Sequence, residues 1–139
     1  MARNDYHTPT AKRLEYYSDF MDDFVKHPVT NELVLVTNED AVAQSLRNII
    51  LTDLGEWPFR PYVGSNIRAS LFQNYGPFMV EDLTRAISDA IKNCEPRARV
   101  QGIQIYENQS SGEVGCNLMF TTINSVDIQK LSLVLKRVR

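Results

Sequence analysis

The chain has 139 residues, a formal net charge of −2, 43% hydrophobic residues and two cysteines. That is enough for one domain that buries about two thirds of its unfolded surface without disulfides or a structural metal. The charge is uneven: Met1 to Trp57 carries ten acids against five bases (−5), and Pro58 to Arg139 seven against ten (+3), a split that suits protein partners and argues against nucleic acid, which asks for a concentrated basic face.

No secretory leader is recognisable, and no apolar run nears the ~18 residues of a membrane span. A soluble protein made in a reducing cytoplasm is therefore expected, with Cys94 and Cys116 as buried thiols. Residues 1–15 mix charges around Pro9 without a period and read as a flexible arm, leaving 16–139 as the folded domain.

Two extended segments flank Pro28 to Asn31, predicting a hairpin in which Leu33 to Val36 is a buried strand. Thr37 with Asp40 reads as a capping box opening a helix whose apolar stripe is Val42, Leu46, Ile49 and Ile50, with Gly55 as its left-handed cap. Trp57, Phe59 and Tyr62, set among Pro58, Pro61 and Gly64, predict an ordered loop whose rings pack on the body, although direct contact with a partner is an equal reading of them. Arg60, between Pro58 and Pro61, has little freedom to turn inward and is a candidate contact.

Gly76-Pro77 opens a second helix with the stripe Val80, Leu83, Ile87, Ile91 and Cys94, stopped near Cys94 by Pro96. Ile103 and Ile105 alternate with polar residues, Asn108 to Gly112 supplies a turn, and Val114, Cys116, Leu118 and Phe120 share one strand face. Leu131, Leu133 and Leu135 mark a last strand with one wet face. The order predicts an α+β fold: two amphipathic helices on a mostly antiparallel sheet.

Catalytic patterns are scarce. Phosphate-cradling glycine loops, dinucleotide fingerprints and nucleophile elbows are absent, and His7 and His27 read as arm and turn residues, so no cofactor, metal or small-molecule substrate is expected. Two carboxylates, Glu56 and Glu95, are the pair a glycoside hydrolase would need. Arg97 stands against it, because a cation two residues from Glu95 favours the ionised carboxylate over the acid. Glu95-Pro96-Arg97 instead reads as a proline-stiffened charged corner on the surface, suited to docking.

The succession of a Ser45-Leu46-Arg47-Asn48 helix, the pattern T-x-x-G-E-x-P-F-x-P-x-x-G from Thr52 to Gly64, Leu71-Phe72, a second helix, E-P-R and then strands resembles one family from about Tyr17 to the C-terminus. It is the small "lysozyme-like" wedge protein of contractile-tail phage baseplates, related to the type VI secretion baseplate component TssE. The resemblance implies a non-enzymatic structural subunit in the virion, assembled in the host cytoplasm; because members of this family have carried a lysozyme label, a peptidoglycan-cleaving muramidase using Glu56 and Glu95 is the alternative function it implies. Glu95, Pro96 and Arg97 would enter a core bundle made by the larger wedge subunits. It further implies that the last strand, through Leu133, Val134, Leu135 and Lys136, pairs with the tail sheath protein to start the sheath, an edge that Lys136, Arg137 and Arg139 could also guard.

Overall fold

The computed structural model describes residues 14–108 and 113–136. In chain order these form β1 (Ser18–Phe20), β2 (Leu35–Thr37), α1 (Asn38–Leu51), α2 (Ile67–Leu71), α3 (Pro77–Cys94), β3 (Ala98–Asn108), β4 (Glu113–Thr122) and β5 (Gln129–Leu135). This is the α+β architecture expected, with one helix more. β1 and β2 are an antiparallel pair with Ser18 opposite Thr37, while β3, β4 and β5 form an antiparallel meander with β4 in the centre.

One face of the meander meets the helices. Val42, Leu46 and Ile50 of α1, Leu83, Ile87 and Ile91 of α3, Val114, Cys116, Leu118 and Phe120 of β4, and Leu133 and Leu135 of β5 belong to a single buried cluster. Each such side chain contributes about 1.5–3 kcal/mol by leaving water. On β3 the inward positions change parity, because Val100 pairs with Phe120 but Gly102 with Met119, leaving Gln101 as a bulge. The extra residue is what lets Val100, Ile103 and Ile105 all pack against the core despite their odd spacing.

α3 starts at Pro77 and ends at Cys94, as its proline signals require. Its stripe is shifted at the first turn, where Met79 is buried and Val80 only half-buried. α2 has no counterpart in the sequence reading. It is five residues long, and one apolar pair, Ile67 and Leu71, four apart, cannot display a helical period.

The start of α1 differs from expectation. Thr37 makes no side-chain capping bond. Asn38 takes a left-handed φ of 52°, and its N–H donates to the Tyr17 carbonyl at 2.8 Å, so the hairpin and not a capping box satisfies this end. Nor does Gly55 close the helix: α1 stops at Leu51, with Thr52 extended, because Ser65 docks there. The Ser65 N–H donates to the Thr52 carbonyl at 2.8 Å and its hydroxyl to the Ile50 carbonyl at 2.7 Å.

The hairpin around residues 28–31 forms, but Leu33 to Val36 is not a buried strand; Leu33 and Leu35 are exposed and Val34 and Val36 half-buried. Among the described residues no second layer covers the two-stranded ribbon. The thiols also divide. Cys116 is fully buried and desolvation pushes its pKa up to about 11, whereas Cys94 is only half-buried, beside the Tyr62 carbonyl. Residues 1–13 of the expected arm, most of the 108–112 turn, and Arg137 and Arg139 lie outside the described residues.

Candidate docking site

The E-P-R corner is built differently from an exposed charged turn. Glu95 caps α3 with its N–H on the Ile91 carbonyl, 2.8 Å away, and its backbone leaves helical angles (φ −131°, ψ 80°) because proline follows. That bend turns its side chain inward, where only 3% of the residue remains exposed. Arg97 grips the carboxylate with two parallel bonds, Nε to Oε1 and Nη2 to Oε2, each 2.7 Å, and the Ser45 hydroxyl of α1 donates to Oε2. Burial alone would raise the Glu95 pKa; the hydrogen bonds from Arg97 and Ser45 and the arginine's charge outweigh it and hold the carboxyl below its ordinary value. The same bonds push Arg97 upward against a smaller desolvation cost.

The pair is a clamp between distant segments. The Arg97 guanidinium lies over the Tyr17 ring, 5.2 Å from its centroid, and Tyr17 Oη accepts from Asn124 Nδ2 at 2.8 Å. Ile123 N–H donates to the Arg97 carbonyl at 3.0 Å, fixing the turn between β4 and β5 beside the corner. What faces outward is Pro96, the half-exposed arginine and, on that turn, Ile123, Val126 (94% exposed) and Ile128 together with the polar Asn124 and Asp127. The expectation of two surface charges is thus corrected: Glu95 is an internal anchor, and the corner presents Pro96 and Arg97 beside three exposed apolar side chains of the turn.

Ser45, Tyr17 and the apolar turn escaped the sequence reading. Ser45 carried one usable signal, a hydroxyl between Val42, Leu46 and Ile49 on an otherwise apolar helical stripe. Tyr17 carried none, since its partner is 80 residues away.

Between Asp53 and Gly64 the chain makes a loop closed at its base by Ser65 and across its middle by Gly55 N–H on the Pro61 carbonyl at 2.9 Å. Backbone bonds do the closing, so the rings are released. Trp57, Phe59 (96%) and Tyr62 are exposed and do not pack on the body as one reading of the sequence had it. Arg60 is exposed too, its N–H on the Trp57 carbonyl. The remaining candidates lie on β5: Leu133 and Leu135 face the core, Val134 and Lys136 face solvent, and among the described residues the outer side of β5 has no strand neighbour. Lys136 leans toward Glu113 of β4 (3.8 Å).

Glu56 and Glu95 do not acquire the environments of a glycosidase pair. Glu95 is held ionised, the reverse of what a general acid needs, and Glu56 is exposed, with Oε2 accepting the Asp53 N–H at 3.0 Å. Among the described residues no group of three His, Cys, Asp or Glu is placed to hold a metal ion, and no helix is long and apolar enough to cross a membrane.

Residues 36–126 match the family model described as baseplate wedge protein gp25. The baseplate wedge protein gp25 of Enterobacteria phage T4 is 29% identical over 96 residues, covering 68% of this chain and 73% of that protein. Two solved structures share the fold: a putative tail lysozyme from Geobacter sulfurreducens, with a TM-score of 0.63 at 22% identity over 74% of this chain and 96% of that one, and a chain of the anti-feeding prophage baseplate, with a TM-score of 0.61 at 20% identity over 86% and 84%. A stretch well over half the chain, holding both the loop of Gly55 to Gly64 and the E-P-R corner, carries the match: the chain belongs to the baseplate wedge protein gp25 family.

Proposed function

We propose that this protein is a non-enzymatic structural subunit of a contractile-tail baseplate, resident in the virion after assembly in the host cytoplasm, and that it docks on the core bundle of larger wedge subunits through Pro96, Arg97 and the adjoining turn of Ile123, Val126 and Ile128. The observation that carries the reading is the clamp of Glu95 by Arg97 and Ser45. A carboxylate already satisfied internally contributes stiffness, and a stiff corner loses little freedom when a partner closes over it. Because the guanidinium is largely neutralised by its own neighbour, the contact is apolar and shape-driven, with Arg97 completing hydrogen bonds at its edge.

The outer side of β5 supports a second contact. Unpaired backbone groups on an edge strand accept an incoming strand with little regard to its sequence. The lysine that would deter pairing, Lys136, leans toward β4. The proposed occupant is a strand of the tail sheath protein, so that each baseplate copy starts one sheath subunit.

A density map of an assembled tail at side-chain resolution tests both contacts. Pro96 and Val126 should be covered by another subunit, with the Glu95–Arg97 pair intact beneath them, and β5 should be extended by a strand of sheath. A corner open to solvent would contradict the docking; a bare β5 edge would contradict the templating.

A further inference from the structure

The ribbon of β1 and β2 is a further part of the fold whose large apolar side chains the body leaves uncovered. Leu14, Tyr16, Phe20, Phe24, Val29 and Leu35 each have at least half their surface in water. The ribbon is seated on α1 chiefly by hydrogen bonds: Gln44 Nε2 to the Phe20 carbonyl at 2.7 Å, Asn48 Nδ2 to Asp22 Oδ1 at 3.0 Å, and Asn38 Nδ2 to the Leu14 carbonyl at 3.0 Å. Two three-residue strands do not sustain themselves in water, and a run of exposed large apolar side chains on a small domain marks an interaction surface. Nearly all of this ribbon, residues 14–35, precedes the stretch that matches the family.

Charge identifies what covers it. Residues 14–37 hold Glu15, Asp19, Asp22, Asp23 and Glu32 against Lys26, a balance of five acids to one base, or −4, and all six charged side chains are exposed. A second copy of the ribbon would bring −4 against −4 and be repelled. Residues 1–13 of the same chain have the right sign, with Arg3, Lys12 and Arg13 against Asp5, but among them only Met1, Ala2, Tyr6 and Ala11 are apolar, too little to cover six large side chains. We infer that the β1–β2 ribbon is a further docking surface and that its occupant is a lysine-bearing apolar segment of a neighbouring, different subunit. The neighbour's place in the same particle rests on the baseplate reading above.

The test uses assembled particles containing this chain. A carbodiimide, which joins a carboxylate to an amine in direct contact, is applied, and the joined peptides are mapped by mass spectrometry. At least one of Asp19, Asp22, Asp23 and Glu32 should be joined to a lysine of another kind of subunit. In parallel, the charge-reversed variant Asp23→Lys with Glu32→Lys should melt as the parent does, since both residues are exposed, yet enter particles about tenfold less well, because it would set like charges against the partner's lysine. Joining confined to Lys12 or to a second copy, no joining at all, or incorporation of the variant at the parent's level would overturn the inference. Absence of the chain from the particle would instead sink the baseplate reading, so the two failures are distinguishable.

Discussion

Glu95→Ala is expected to lower the melting temperature of the free protein by roughly 6–15 °C, from a loss of about 2–4 kcal/mol. Breaking a fully buried ion pair costs about 3–5 kcal/mol, and the lower figure reflects the water that still reaches Arg97, 36% exposed. Three groups lose a partner at once: the guanidinium, the Ser45 hydroxyl, and through Arg97 the seat of Tyr17. The effect has a pH signature. Because folding lowers the Glu95 pKa, its contribution is complete above the unfolded value near 4.5 and fades as pH falls through the lower folded value. Melting curves of the wild type should therefore drop more steeply on acidification below about pH 4.5 than those of Glu95→Gln. A Glu95→Ala protein that melts with the parent would show that the clamp is ornamental. Peptidoglycan hydrolysis by the wild type, lost in Glu95→Gln, would restore the muramidase.

Gly64→Ala should be comparably damaging, at about 2–4 kcal/mol, for a reason confined to backbone. Gly64 has φ +126°, and a Cβ there would stand 2.7 Å from the Thr52 carbonyl oxygen and 2.9 Å from that of Asp53. Neither oxygen can step aside cheaply. Thr52 already accepts the Ser65 N–H that ends α1 and closes the loop. Relief would come by detaching the loop's base, which frees the Ser65 hydroxyl from Ile50 and loosens Ile67 just beyond it. Thermal melting measures the loss, and proteolysis should locate it between residues 53 and 64. A variant as stable and as resistant as the parent would mean that the loop is not pinned at this glycine.

Local signals in the chain were legible and distant ones were not. The limits of α3 were legible because Pro77 and Pro96 act on their immediate neighbours, and the faces of β4 and β5 because their leucines and valines alternate. The order of elements followed from those signals, and the family from two motifs in register. Burial of Glu95 was not legible: its nearest charged neighbour could be read from the chain, but Ser45, fifty residues upstream, is what makes an inward rotamer satisfiable. Nor was the release of Trp57, Phe59 and Tyr62. Composition alone argues for packing such rings, and only the hydrogen bonds closing their loop show that they are not needed as its seal. The buried β2 strand failed similarly, since a β-branched run says nothing of whether a second layer exists to cover it.

A binding measurement with Pro96→Asp tests most directly that the corner docks as a preformed apolar surface. The residue is exposed and makes none of the clamp's hydrogen bonds, which hold Glu95 inward from Arg97 and Ser45, so the free protein should stay folded, with a stability cost of about 1 kcal/mol from the lost proline constraint. Removing both Glu95 and Arg97 would not separate folding from docking, because that pair is part of the fold. Purified wedge core subunits, titrated with parent and variant alongside melting curves, should bind Pro96→Asp at least about tenfold more weakly, because an unpaired carboxylate would be desolvated at the contact. Undiminished binding by a folded Pro96→Asp protein would contradict the docking role of the corner.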